Sequence, residues 1–409
     1  MSRRTIAVLA TLDTKGEEVG YLRERIEACG GQALLIDMGV VGEPAIAPDV
    51  DKEKVSSEGG TALAELLKDP TRQAASPVMV SGATKILTSL LSEGRVHAVI
   101  GLGGTQGTSN ATAVMQALPY GFPKLMVSTV ASGDTSAFVG IKDIVMMPSV
   151  GDILGLNPLL RTILAGAAGA ACGMANSPVT LQTAKSELPL VGMTNLGVLT
   201  DGAMEALRLF REAGHEVIVF HAVGAGGLAM EQMMKDGIIG AVFDYGLGEI
   251  TDELFEGLRA AAPERLTVAG ALGLPAVYCP GGLEHVGLLV EPNTVPERWA
   301  GHAHVFHNPI ILAPRLDADE MRTVAREIGA RLSQSTTPAA FLMPTRGTSR
   351  YGIEGGPLHD PAGDAAFLEE LRGALPPHVE LVEVDAAAED PAFVAQAVAR
   401  LRQLVAATA

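Results

Sequence analysis

Short apolar runs alternate with amphipathic stretches along the whole chain. In the first part the runs TIAVLAT (5–11), ALLIDMG (33–39), HAVIGL (97–102), KLMVST (124–129) and DIVMMP (143–148) read as strands. Helical spacing of apolar positions covers 16–28, through Val19, Leu22 and Ile26, and recurs over 60–68, 83–93 and 109–118. Continuous apolar strands separated by helices of this length predict parallel strands covered on both faces.

The stretch SVGDILGLNPLLRTILAGAAGAACGMA, beginning at Ser149, reads as one long Ala/Gly-rich helix, with Asn157-Pro158 near its start. Its small residues point to close helix packing or a subunit interface. The alternation restarts at Leu188. Strands are expected at 188–197, 216–222, 238–245, 266–271, 305–311, 339–343 and 379–384. Helices are expected at 200–213, 228–236, 317–335, 363–374 and 389–406. The prediction is an α/β protein of two Rossmann-like subdomains with mostly parallel sheets, 1–180 and 181–409, joined by the Ala/Gly-rich helix, with a cleft between them.

Composition sharpens this picture. Hydrophobic residues make up 47% of the 409 positions, aromatics only 4%, and there are 47 glycines, which fits Ala/Val/Leu/Ile cores with Gly-rich turns. The formal charge of −17 argues against nucleic acid or an anionic membrane as a partner, but not against a small anion held by local N–H groups. Cys29, Cys172 and Cys279 lie far apart in the sequence and read as reduced buried thiols. The apolar run at the start stops at Asp13 and Lys15, unlike a signal peptide, and 159–174 is short and Ala/Gly-rich for a membrane span. The expectation is a cytoplasmic protein.

Three polar loops follow successive strands of the first part and converge on one sheet edge. GLGGTQGTSNA follows a strand and opens a helix. It offers the backbone of Gly103, Gly104, Gln106 and Gly107 to an anion, with hydroxyls from Thr105, Thr108 and Ser109. It matches neither the dinucleotide fingerprint nor a Walker A loop, and a plain Gly-rich turn is the competing reading. ATLDTKGEE brings Thr11, Asp13, Thr14 and Lys15. Lys15 suits a phosphate and Asp13 a magnesium ion or a ribose hydroxyl, while Asp13 or Thr14 also suits a helix cap. STVASGDTSAFVG adds Ser132, Gly133, Asp134 and Thr135.

The second part has MTNLG (193–197), HAVGAGG (221–227) and DYGLGEITDEL (244–254) at its strand ends. His302, His304 and His307 have HxHxxH spacing. On a strand the first two share a face, and Asp244, Glu249 or His285 are candidates to complete a metal site. Arg346 and Arg350 flank Gly347, Thr348 and Ser349 in a grouping suited to a carboxylate or phosphate, or else to a solvated loop. Asp244, His302, His304 and Arg346 are the catalytic candidates; no nucleophile elbow or HExxH occurs.

ATLDTKGEE, GLGGTQGT, SGDTSAFVG, PSVGDILGLNPLLRTILAGAAGAACGM and MPTRGTSRYGIEGGPLHDP, in this order, resemble the Tm-one-like ATP-binding proteins, over nearly the whole chain. The resemblance implies Rossmann-like halves, a homodimer or higher homo-oligomer, and ATP, with magnesium, in the first subdomain. Carried over, the nucleotide contacts are Thr11, Asp13, Lys15, Gly103, Gly104, Thr105, Gln106, Gly107 and Thr108, with Gly133, Asp134 and Thr135 nearby. The expected function is ATP binding by a metabolic enzyme acting on a small carboxylated, anionic metabolite in the cleft. The alternatives are a nucleotide-binding regulatory module without turnover and a metal-assisted lyase or hydrolase that does not use ATP.

Overall fold

A computed structural model describes residues 3–177 and 188–408. The chain divides into two compact units, 1–182 and 183–409. The first contains β1 (Thr5–Ala10), α1 (Leu12–Ala28), β2 (Gln32–Asp37), α2 (Lys52–Glu58), α3 (Leu63–Leu66), α4 (Arg72–Ser92) and β3 (Ala98–Gly103). It continues through α5 (Thr105–Gln116), β4 (Lys124–Ser128), α6 (Ser136–Val139), β5 (Val145–Pro148) and α7 (Pro158–Ala175). The five strands pair in parallel in the order β2-β1-β3-β4-β5.

The strand composition explains the layers. Successive side chains of a strand alternate between faces, so a strand covered on both sides is apolar throughout. In β1, Ile6 and Val8 pack with Leu22, Ile26 and Leu164, while Ala7 and Leu9 pack with Met79, Leu87 and Val114. Thus α1 and α7 cover one face and α4 and α5 the other. By length and composition α4 and α7 could each cross a membrane. Both are instead built into the layers, α7 against α1, β3 and β4, and α4 against α2 and α5, as in a soluble α/β unit. The helix α7 starts only at Pro158, where the Asn157 side chain accepts from Leu160 N–H at 2.9 Å. Residues 149–157 are therefore not helix, contrary to the sequence expectation: Asn157 caps and Pro158 starts the helix, so the turn ends there.

The second unit runs through β6 (Val191–Asn195), α8 (Thr200–Glu212), β7 (Val217–His221), α9 (Ala225–Lys235), β8 (Ala241–Gly246), α10 (Gly248–Leu254), α11 (Val268–Ala271) and β9 (Ala276–Gly281). A small antiparallel sheet follows, ordered β10-β12-β11, from β10 (Leu288–Leu289), β11 (His304–Asn308) and β12 (Ile311–Pro314). Then come α12 (Ala318–Leu332), β13 (Ala339–Pro344), α13 (Pro361–Ala374), β14 (Val379–Val384) and α14 (Pro391–Thr408). The main sheet is parallel, ordered β14-β13-β9-β8-β6-β7. One face carries Phe210, Phe243, Phe393 and Leu401, the other Met230, Ile328, Phe341 and Phe367.

Two expected strands differ. Residues 266–271 end in the single helical turn α11, and the neighbouring strand is AVYCPG at 276–281, six buried residues between β8 and β13. The expected strand 305–311 is a hairpin, because Asn308 Oδ1 accepts from the N–H groups of Ile310 and Ile311 at 3.0 and 2.9 Å and turns the chain back.

Candidate functional site

Each main sheet reverses its strand order once: between β1 and β3 in the first unit, and between β6 and β8 in the second. Beyond the carboxyl ends of such strands the flanking loops diverge to opposite faces and leave a crevice. The two crevices are built very differently.

In the first unit β1 runs into Thr11, the N-cap of α1, whose side chain makes no cap bond; its hydroxyl meets that of Thr14 at 3.0 Å. The helix is kinked at Lys15 (φ −123°, ψ 16°), and the Lys15 ammonium donates to the carbonyl of Ile153. Asp13 is half-buried against the loop after β2. There a Cβ on Gly42 would stand 2.8 Å from Asp13 Oδ2, and Gly42 adopts φ +72°. Behind it, buried Asp37 accepts from the N–H groups of Leu12 and Gly39 at 3.1 and 2.9 Å; burial raises its pKa.

The end of β3 turns sharply into α5. A Cβ on Gly103 would stand 2.9 Å from Gly107 Cα, so only glycine lets the helix start this close. The N-cap is Gly104, which has no side chain to satisfy the first N–H groups of the helix. Those of Thr105, Gln106 and Gly107 therefore point, with the positive end of the helix dipole, out of the strand end. Cβ positions on Gly104 and Gly107 meet nothing closer than 3.7 Å, and Thr105 is exposed. Gln106 donates to Ser76 Oγ and Asn110 Oδ1, both at 3.0 Å.

Thr108 is placed otherwise. It is buried, and its hydroxyl lies 2.6 Å from Ser128 Oγ, joining the ends of β3 and β4 rather than facing a ligand. In the third loop Gly133 and Asp134 are exposed and Thr135 is half-buried. Asp134 accepts from Ser136 N–H at 2.9 Å, a bond that holds its carboxyl below the usual range.

The corresponding places in the second unit are filled. Leu196 and Leu199 are buried at the reversal. A Cβ on Gly281 would lie 2.4 Å from Leu199 Cδ1, and one on Gly282 2.8 Å from Leu196 Cδ1. The Gly-rich loop 221–227 does cradle a carboxylate, but an internal one. Glu249 Oε1 accepts from Gly224 and Gly227 N–H at 2.6 and 3.1 Å at the start of α9. Its other oxygen accepts from Arg265 Nε at 2.8 Å. Arg265, 1% exposed, also forks onto Asp244, with Nη2 to Oδ1 at 2.7 Å and Nη1 to Oδ2, and approaches Glu231 at 3.5 Å. Burial pushes the Glu231 carboxyl up to about 7 despite this cation. Asp244 is thus the partner of Arg265 and Thr194, whose hydroxyl donates to it at 2.7 Å, and neither it nor Glu249 faces the histidines.

Each histidine makes its own contacts, and the His304 ring turns onto the His302 carbonyl at 3.0 Å. His302 lies before β11, with Nδ1 2.7 Å from the Arg315 carbonyl; His304 and His307 are exposed, the latter 3.5 Å from the Tyr351 hydroxyl. His302, Asp317 and Glu320 bring one ligand atom each within 4.8 Å, a set that could hold a metal. Asp317 and Glu320 already form the capping box of α12. Arg346 is bidentate to Asp385 at 2.6 and 2.7 Å, and Arg350 is held by Glu389 and Asp201. The two arginines therefore do not converge.

Between them, Thr348 and Ser349 turn inward, both hydroxyls onto buried Glu284, which also meets His285 Nδ1 at 3.0 Å. Burial works to raise the pKa of Glu284, but His285, Arg315 and Ser349 outweigh it and hold it well below the carboxylate range. The sequence offered Glu249 only as a candidate metal ligand and did not single out Glu284 or Arg265, whose partners come from other elements of the chain.

Fold and sites together define a two-unit, doubly wound α/β protein with one polar, uncapped crevice and one filled by its own side chains. Residues 4–180 match the N-terminal domain of the uncharacterised protein family UPF0261 and residues 188–405 its C-terminal domain; the chain belongs to this family. A UPF0261 protein of Clostridium tetani (strain Massachusetts / E88) is 38% identical over 403 residues, 98% of each chain. The ToMV resistance protein Tm-1(GCR237) of Solanum lycopersicum is 31% identical over 301 residues, 71% of this chain and 40% of the tomato protein, in line with the resemblance carried by the motifs. A solved UDP-N-acetylglucosamine 2-epimerase aligns over 68% of this chain and 79% of its own, at 11% identity and a TM-score of 0.23, too low to carry an argument.

Proposed function

We propose that the chain binds ATP in the crevice between β1 and β3 of its first unit. The observation that carries the reading is the start of α5: a glycine N-cap leaves three N–H groups and the helix dipole without a capping side chain, at the reversal of strand order. The second unit supports it by contrast, since an internal carboxylate occupies the start of its α9. In this reading the N–H groups of Thr105, Gln106 and Gly107 hold the phosphates. Lys15 exchanges the Ile153 carbonyl for a phosphate oxygen, and Asp13 offers its carboxylate to a magnesium ion carried on the nucleotide.

Titration calorimetry with Mg-ATP tests this. Wild-type protein should show one saturable site. Gly104→Asp should lower the affinity more than tenfold, because the new carboxylate takes the N–H groups meant for phosphate and adds repulsion. Gly104 has φ −78° and room for a Cβ, so the variant should fold and gain a few tenths of a kcal/mol from the better cap. No heat at millimolar nucleotide, or unchanged affinity in the variant, refutes the reading.

A further inference from the structure

The helix α1 ends in a tight turn that packs on the last turn of α7. Gly31 N–H donates to the Ile26 carbonyl and Gly30 N–H to the Glu27 carbonyl, both at 3.0 Å, with Gly30 at φ +83°. These two bonds form a Schellman turn, in which Cys29 is the C-cap of the helix. Cys29 is exposed, not buried as the sequence suggested.

Cys172, in the last turn of α7, is buried against the same turn. Its thiol donates to the Ile26 carbonyl at 3.7 Å, and a Cβ on Gly31 would stand 3.0 Å from its sulfur. The sulfur therefore touches the turn on both sides of Cys29, and the two thiols interact directly. The Ile26 oxygen lies one helical turn before Cys29, which puts the Cys172 sulfur within reach of the Cys29 side chain. Two cysteines far apart in the sequence are thus a packed pair, one sulfur open to solvent and the other shielded. Cys279 is buried in the core of the second unit.

The two thiols differ in what they can meet. Burial, and next the neighbouring Cys29 thiol, raise the pKa of Cys172, which is slow to react with a solute by itself. Cys29 is the thiol that a dissolved oxidant reaches.

We propose that Cys29 and Cys172 form a reversible disulfide when the protein meets a peroxide, fixing the end of α1 to α7. The Cys29 thiolate attacks a peroxide oxygen, the O–O bond breaks, and the released hydroxide leaves as water with the Cys29 proton. The Cys172 sulfur then attacks the Cys29 sulfur and the S–O bond of the sulfenic acid breaks. The second hydroxide leaves as water with the Cys172 proton. Two thiols and one hydrogen peroxide become one disulfide and two waters, with each sulfur giving one electron to the peroxide. A dithiol reductant reverses the change.

The test exposes reduced wild-type protein to hydrogen peroxide, unfolds it in an alkylating reagent and digests it without reductant. Mass spectrometry should find the Cys29 and Cys172 peptides joined, two hydrogens lighter than their sum, with Cys279 alkylated. Dithiothreitol before alkylation should return all three thiols. Dimedone, which traps sulfenic acids, should label Cys29 about tenfold more in Cys172→Ala than in wild type. The wild-type digest decides the matter by itself if that variant fails to fold. Cys29 left unmodified, or carried to sulfinic acid with no joined peptide, overturns the proposal. A Cys29–Cys29 bridge between chains, or a link that includes Cys279, does the same.

Discussion

Replacing Arg265 by methionine measures how much the second unit depends on one buried cation. The guanidinium contacts Asp244 and Glu249 at hydrogen-bond distance and Glu231 at 3.5 Å, and it is shielded from water. Methionine keeps much of the volume but leaves Asp244 with the Thr194 hydroxyl and Glu249 with two backbone N–H groups as neutral donors. Removing one partner from a buried ion pair typically costs about 3–5 kcal/mol, because the remaining charge stays buried. For a unit of this size each kcal/mol lowers the midpoint by about 2–4 °C, so a fall on the order of 10 °C is expected. The chain has a single tryptophan, and Trp299 is buried in the second unit, so thermal unfolding followed by its fluorescence, with a guanidinium titration for the free energy, reads the right transition. Arg265→Lys keeps the charge but not the fork and should lose about half as much, which keeps the comparison usable if the methionine variant fails to fold. A loss below about 1 kcal/mol for methionine would refute the reasoning, since it would mean that the carboxylates are not ionised around that cation.

Two further outcomes follow from the same contrast between buried and exposed charge. The Glu231 carboxyl rises from its ordinary 4.5 to about 7 in the folded chain, so its contribution is full below about pH 4.5 and is lost as the pH rises through 7. The gap corresponds to about 3 kcal/mol, and Glu231→Gln should flatten the dependence of the unfolding midpoint on pH between 5 and 8; an unchanged slope contradicts the assignment. Arg346→Ala should leave the denaturant midpoint close to wild type, because its bidentate pair with Asp385 is exposed on both sides; a clear fall of the midpoint would show that the loop 345–350 depends on it.

Much of the architecture was legible because it is carried by local signals. The apolar runs of β1, β3, β4 and β13 lie within a residue or so of their predicted places, since strands buried on both faces leave an unbroken apolar run. Helix α2 and the first half of α4 were not foreseen. The apolar spacing of α2 is weak, and Pro77 lies inside α4, where it reads as a break although Thr71 caps the helix six residues earlier. At the sites, the sequence located the loops but not the direction of their side chains. Thr105 and Thr108 look equivalent on paper, yet helical geometry exposes one and turns the other onto Ser128. The loop 221–227 carried the same glycine signal as 101–107, but a glutamate 25 residues beyond Gly224 occupies it. Such pairings depend on the order of strands in the sheet, which one sequence does not display.

In the proposed function the uncapped start of α5 holds the phosphates of ATP. A crystal structure grown with magnesium and a non-hydrolysable ATP analogue tests it most directly. Phosphate oxygens are expected about 3 Å from the N–H groups of Thr105, Gln106 and Gly107, with the Lys15 ammonium moved from the Ile153 carbonyl to a phosphate. Nucleotide density on the second unit, or anywhere away from the end of β3, would contradict it.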